Sequence, residues 1–238
     1  MEKFIITIAR TYGSGGKTMG KMLAKELGVH YYDRELLRLA SDESGISESL
    51  FGEADEKVIK KALFHKPKNP NNIKTLPPES DAFVSNENLF NFQAKIIKEI
   101  AAKESCVIVG RCADYLLADE KNCIRIYCHA PLEACIKRED DLSGLPRKDI
   151  IKKIEKIDKF RSDYYKYYTG REWTNANNYD MCINTASMSY EEILEAVKAY
   201  IDIVKKRSEN SWHIYWKMLL YHGMPHNEVL KTCKCHRN

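Results

Sequence analysis

The sequence predicts an α/β fold in which helices cover a mainly parallel sheet. Three observations predict it. Five short apolar runs of strand size recur along the 238 residues, each parted from the next by helix-capable sequence. The first run leads at once into a glycine-rich loop and then a helix. No apolar run approaches the roughly 20 residues of a membrane span.

Phe4–Ala9 is continuously apolar, as expected of a strand buried on both faces of a sheet. The helix near Thr18–Leu27 stops at Gly28, a residue suited to the left-handed cap. Val29–Tyr32 reads as a second strand, followed by Asp33. A helix near 92–103 leads into the third strand, Cys106–Val109. Cys123–His129 is the fourth, and Pro131 suits the first turn of a helix over Leu132–Glu139. Met181–Asn184 is the fifth. Two stretches interrupt the alternation. Residues 34–95 begin acidic and turn Pro/Asn-rich, which suggests a mobile functional loop around 64–80. Residues 140–178 carry a charged helix at about 147–168 that ends at Gly170. Beyond 207 the strand pattern stops, and Trp212, Trp216, Leu219 and Leu220 could line one more helix.

Composition narrows the function. Apolar residues make up 44% and charged residues 30%, enough for a core in a soluble chain. The start lacks the apolar centre of a signal peptide, so the cytoplasm is the expected location. Of the net charge of +4, residues 205–238 hold seven Lys/Arg against Glu209 and Glu228, which leaves 1–204 at about −1. A body without excess positive charge argues against a nucleic-acid surface, and nothing points to a membrane. The cysteines sit mostly at apolar positions and read as buried thiols. His222, His226, Cys233 and Cys235 are zinc-type ligands, but Cys-x-Cys is not the usual spacing, and a basic tail is the simpler reading.

The chemistry starts in Ala9-Arg10-Thr11-Tyr12-Gly13-Ser14-Gly15-Gly16-Lys17-Thr18, between strand and helix. Small residues let consecutive backbone N–H groups turn towards one anion, and the helix dipole behind them favours negative charge. Gly13, Ser14, Gly15, Gly16, Lys17 and Thr18 are therefore expected to cradle the phosphates of a nucleotide. Lys17 would reach the β- and γ-phosphates, and Thr18 would offer its hydroxyl to Mg²⁺. Thr11 stands where the standard G-x-x-x-x-G-K-[ST] pattern has its first glycine. Ligands of open α/β sheets bind beyond the carboxyl ends of the strands. Arg111, directly after the third strand, is expected there as a phosphate fork. Asp33, after the second, is expected as a substrate ligand, a helix cap or both. Asp158 and Arg161 are three apart on the charged helix and could simply pair with each other. Arg138 and the cations of 147–161 could form a lid over a transferring phosphoryl group.

Taken together these residues resemble the cytidylate kinase-like family. The resemblance rests on 10–17, Tyr31-Tyr32-Asp33, Val109-Gly110-Arg111-Cys112-Ala113-Asp114-Tyr115, Asp158–Tyr165, Thr169–Trp173 and Asn178-Tyr179-Asp180, and it spans about 1–206. It implies a three-layer α/β/α P-loop fold with a five-stranded parallel sheet, a monophosphate-binding insertion over 34–95 and a helical lid over 140–178. It leaves 207–238 as a basic extension. It also implies ATP with Mg²⁺ as donor and a nucleoside monophosphate, CMP or dCMP foremost, as acceptor. Lys17, Arg111, Arg138 and Arg161 would then be catalytic. Asp33, Arg111, Asp158 and Arg161 would hold the acceptor. Departures from cytidylate kinases proper stand at Thr11, at Arg34 and in the insertion. Two other readings share the P-loop: a phosphotransferase with another small acceptor, and a nucleotide-binding regulator without transfer. Oligomeric state is left open.

Overall fold

A computed structural model describes residues 3–57 and 69–221. Its centre is a five-stranded, all-parallel sheet of strands β1 (Ile5–Arg10), β2 (His30–Tyr32), β3 (Cys106–Val109), β4 (Cys123–His129) and β5 (Met181–Asn184), in the order β2-β3-β1-β4-β5. β1 is the middle strand, with β3 and β4 on either side of it. Ile5, Ile6 and Ile8 are essentially fully buried, as are all four residues of β3. Burying each such isoleucine contributes about 1.5–3 kcal/mol. In register, Ile8 lies beside Val109 and Arg10 beside Cys128. The carboxyl ends of β1, β3 and β4 therefore open at one edge, with the chain reversal between β3 and β4 on either side of β1.

Helices α1 (Gly16–Leu27), α2 (Glu35–Ser44), α3 (Glu48–Lys57), α4 (Asn86–Lys103), α5 (Ala113–Leu116), α6 (Leu132–Ser143), α7 (Arg147–Thr169) and α8 (Tyr190–Tyr221) connect and flank the strands. α1 packs on β1, β2 and β3 and ends at Gly28, which is left-handed and donates its N–H to the carbonyls of Ala24 and Lys25. α2, α3 and α4 pack together, so the expected insertion is largely helical within its described part. Ser85 caps α4 by accepting the N–H of Asn88. The polar stretch 69–80 is laid along α4: the Asn88 side chain bonds both N–H and C=O of Leu76, and Asn91 donates to the carbonyl of Lys74.

α7 has two halves with different surroundings. Ile150 and Ile154 pack with Cys135 and Ile136 of α6 and with Tyr12. Tyr164, Tyr165, Tyr167 and Tyr168 belong to the main core, where Tyr168 stacks on Phe90 at 3.8 Å. The second half of α7, and not the first, is thus part of the main core.

The chain divides into two compact units, Met1–Ile193 and Leu194–Asn238. α8 runs through 206–207, the expected start of the extension. His222, His226, Cys233 and Cys235 lie outside the described residues, as do 64–68. Among the described residues no helix is long and apolar enough to cross a membrane, and no group of three or more His, Cys, Asp or Glu could hold a metal ion.

Candidate functional site

The loop between β1 and α1 is held from its carbonyl side. Arg138 of α6 donates to the carbonyl of Gly13 (3.3 Å) and to both Oγ1 and the carbonyl of Thr185 (3.2 and 2.6 Å). Thr185, directly after β5, donates its buried hydroxyl to the carbonyl of Ser14. Ser14 is itself buried and returns its hydroxyl to the carbonyl of Thr11 at 2.8 Å. The carbonyls of Gly13 and Ser14 are thus engaged, and the Ser14 N–H turns back to the Thr11 carbonyl at 3.4 Å. The N–H groups of the first turn of α1, which have no partner within the helix, are the candidate anion cradle. Gly15 must be glycine: its φ is +81°, and a Cβ there would lie 2.2 Å from the Tyr190 hydroxyl oxygen.

Thr11 does not distort this loop. Its backbone is outside the positive-φ region, so no glycine is required, and its N–H donates to the Cys128 carbonyl at 3.0 Å. Thr18 is exposed, one residue beyond Lys17. A single hydroxyl beside a phosphate cradle suits Mg²⁺, which takes most of its oxygens from phosphate and water.

Next to the loop lies a cavity of about 140 Å³, lined among others by Arg10, Asp33, Arg111, Asp114, Arg161 and Trp173. Three guanidinium groups face it from three parts of the chain. Arg10 ends β1, Arg111 follows β3, and Arg161 lies in mid-α7. Burial, then the charge of Arg161, lowers the pKa of Arg10 to about 10. Burial also lowers those of Arg111 and Arg161. Arg111 reaches towards the Gln93 side chain (3.5 Å) and lies beside Tyr164.

Backbone strain positions Arg111. Gly110, Arg111 and Cys112 all have positive φ, at 79°, 59° and 54°. For the two non-glycine residues this costs roughly 1–2 kcal/mol each. Such strain persists only where surrounding packing over-determines it, and it concentrates at functional sites. Arg111 therefore lies before the N-cap of α5, which is Cys112, rather than inside the helix.

Asp33 does not cap α2, whose N-cap is Arg34 with no side-chain bond. Its carboxylate is 2.6 Å from Lys17 Nζ and 3.8 Å from Arg10 Nη2. It thus joins the phosphate loop to the cavity.

Asp158 and Arg161 do form the intrahelical pair, at 3.3 Å. Each also grips the loop. Asp158 accepts the backbone N–H of Tyr12 (2.7 Å), and Arg161 donates to the carbonyl of Arg10 (3.1 Å). Burial raises the pKa of Asp158, against the Tyr12 N–H and Arg161, which lower it. Tyr12 lies under the cations of Lys153 and Arg161.

The structure thus brings Lys17, Asp33, Arg111, Asp158 and Arg161 to one place. It does not bring Arg138 into the cavity; that guanidinium is occupied with carbonyls behind the loop. Arg10 and Asp114 were not singled out from the sequence. Arg10 carried a legible signal: a charged residue closing an apolar strand at the ligand edge. Asp114 accepts the Tyr165 hydroxyl (2.7 Å), and burial pushes its carboxyl up to about 6.

Comparison with known proteins places this geometry. The profile of the cytidylate kinase-like family matches residues 5–187. A cytidylate kinase of Methanopyrus kandleri is 23% identical over 86% of this chain and 96% of its own. One of Pyrococcus horikoshii is 25% identical over 84% of this chain and 90% of its own. The crystal structure of an uncharacterized protein from Eubacterium ventriosum is 27% identical, covers 84% of this chain and 99% of its own, and superposes with a TM-score of 0.61.

Proposed function

The chain belongs to the cytidylate kinase-like family, and from that premise we propose that it transfers the γ-phosphoryl group of ATP to a nucleoside monophosphate, CMP or dCMP foremost. One observation carries the reading: a cavity of three arginines begins at the end of β1, where the glycine-rich loop starts, and its lining residue Asp33 pairs with Lys17 of that loop. A single-ligand switch has no use for such a cavity.

The donor's phosphates fit the cradle of 13–18. Lys17 leaves Asp33 to meet the β- and γ-oxygens, and Arg138 and Thr185 hold the loop by its carbonyls. Thr18 would hold Mg²⁺, which neutralises phosphate charge when bound. The acceptor's phosphate fits against Arg111 and Arg161, and Asp33 and Asp158 face its sugar. An oxygen of that phosphate attacks the γ-phosphorus, a P–O bond forms, the β–γ bridge breaks, and ADP leaves. The attacking oxygen is already anionic, so no general base is needed. The chain's work is alignment and charge neutralisation. Phe160, Tyr164, Tyr165 and Trp173 supply an apolar wall for a base.

The cavity is smaller than the roughly 300–1,000 Å³ of sites that enclose a ligand. Acceptor entry therefore requires the first half of α7, up to the Asp158–Tyr12 contact, to swing away from the loop. On this reading 34–95 binds the acceptor and, within the expected lid 140–178, the first half of α7 is the part that moves, in a kinase domain of 1–206 with 207–238 a basic extension. ADP release measured with CMP, dCMP, UMP, AMP and GMP, and with sugar and hydroxy-acid acceptors, tests the proposal. Release only with a non-nucleotide acceptor refutes the monophosphate reading. ATP binding without any release refutes transfer.

A further inference from the structure

We propose that Arg10 is a third ligand of the acceptor's phosphate, so that the cavity selects a dianionic phosphomonoester over the uncharged nucleoside. The inference rests on the monophosphate reading and extends it to a residue outside the P-loop pattern and the lid.

The position of Arg10 is built in from three sides. It is the last residue of β1, and its backbone carbonyl is held by Arg161. Its guanidinium lies over Gly110, where a Cβ would come 2.4 Å from Nη1. Gly110 thus provides the notch in which this side chain turns into the cavity rather than towards solvent. A merely structural Arg10 should have a close carboxylate of its own. The nearest, Asp33, is 3.8 Å away and is taken at 2.6 Å by Lys17. That separation is beyond direct hydrogen-bond range.

Charge in the cavity points the same way. Its lining includes three guanidinium groups and two carboxyls. One carboxyl is shared with Lys17. The other, Asp114, is bound by Tyr165, and burial pushes it up to about 6. Arg161 and Arg111 both oppose the charge on Arg10. Gathering like charges out of water is costly, and a bound dianion reverses the sign of that interaction. Planar forks at Arg10, Arg111 and Arg161 match the oxygens of a phosphomonoester.

The test is calorimetric, on the full chain without ATP. CMP, UMP, AMP and GMP are titrated, each against its nucleoside. Wild type is expected to bind the best monophosphate far more tightly than its nucleoside. Arg10→Gln should lower monophosphate affinity about ten- to a hundred-fold. It should leave nucleoside and ATP affinities within about two-fold, so the monophosphate-to-nucleoside ratio collapses. Arg10→Lys, which keeps the charge but loses the fork, should fall between. An unchanged ratio in Arg10→Gln overturns the proposal, as does a parallel loss of all three ligands with the melting temperature. If Arg10→Gln does not fold, Arg10→Lys decides alone, and an unchanged ratio there overturns it. If wild type itself binds monophosphate no better than nucleoside, it is the monophosphate kinase reading that fails.

Discussion

The phosphate loop and the arginine cavity meet at Arg10 and Asp33, yet they are built on opposite plans. In the proposed function the loop binds with backbone. Its residues are contiguous, its shape follows from glycines at 13, 15 and 16, and its only side-chain cation, Lys17, is half exposed. In the same proposal the cavity binds with side chains. Its cations come from the ends of two strands and the middle of a helix, about 150 residues apart in the chain. They are buried and pushed below their ordinary basicity. A loop of the first kind tolerates changes in side chains that face away from the phosphate. A cavity of the second kind stores electrostatic cost until an anion arrives. Substitutions should therefore separate the two regions by what they damage.

The largest effect is expected from Lys17→Ala. The side chain is exposed, so its loss should leave the melting temperature within a degree or two. Removing a cation aimed at the transferring charge typically costs about 10²–10³-fold in kcat. Single-turnover transfer beside a thermal melt measures both. Unchanged transfer would remove Lys17 from the donor site. A large drop in melting temperature would make Lys17–Asp33 a structural pair instead.

Asp114 tests whether the cavity stores cost in the folded state. Burial raises its carboxyl from 3.8 to about 6, and the Tyr165 hydrogen bond only partly opposes this. A carboxyl raised by folding stabilises the folded state fully below its unfolded pKa, and that contribution is lost as pH rises through the folded pKa. The window is thus about pH 4 to 6. Asp114→Asn keeps an oxygen acceptor for Tyr165 and cannot ionise. The stability of this variant relative to wild type should rise across the window by at most about 3 kcal/mol and then level off. Urea titrations at several pH values would read this. A flat difference would mean that the carboxylate is already ionised at pH 4.

Arg111 is the counterpart of Lys17 on the cavity side. Arg111→Lys keeps the charge but loses the fork, and should weaken acceptor use about ten- to a hundred-fold with ATP binding nearly intact. Equal losses for ATP and acceptor, by separate titrations, would abolish the distinction between the two regions.

These two plans also explain what could be read from the chain. The five strands and the loop are local patterns, and the structure has them within a residue or two of their expected bounds. Arg111 was legible because the rule about strand ends is topological. Its left-handed backbone was not, since only packing enforces it. The resemblance put Arg138 with the phosphate ligands; its partner Thr185 lies 47 residues away, and no spacing in the sequence shows that pairing. Arg10 was hidden by the motif beside it: reading the loop as glycines and Lys17 drew attention away from the last residue of β1. The lid was read as one charged helix. That the second half of α7 is core follows from Tyr164–Tyr168 meeting Phe90, a contact across more than 70 residues.

The smallest effect is expected at Thr11, where the chain departs from the standard loop pattern. If the first glycine of that pattern were needed for backbone shape, Thr11 should be strained. It is not: its φ is not positive, and its N–H is paired with Cys128. Thr11→Gly should therefore change transfer less than about three-fold and cost roughly 0.5–1 kcal/mol through added freedom of the unfolded chain. The hydroxyl is a separate matter. Thr11 Oγ1 is buried and meets no hydrogen-bond partner among the described residues. A buried hydroxyl without a partner costs stability, and an apolar group of the same shape removes that cost. Thr11→Val is the matching change in shape, and it should be neutral or slightly stabilising with transfer preserved. If Thr11→Val instead lowers transfer while Thr11→Gly does not, the loop cannot be a pure backbone device. If both lower it by ten-fold or more, the tolerance claimed for the loop is wrong, and the two regions differ less than their construction suggests.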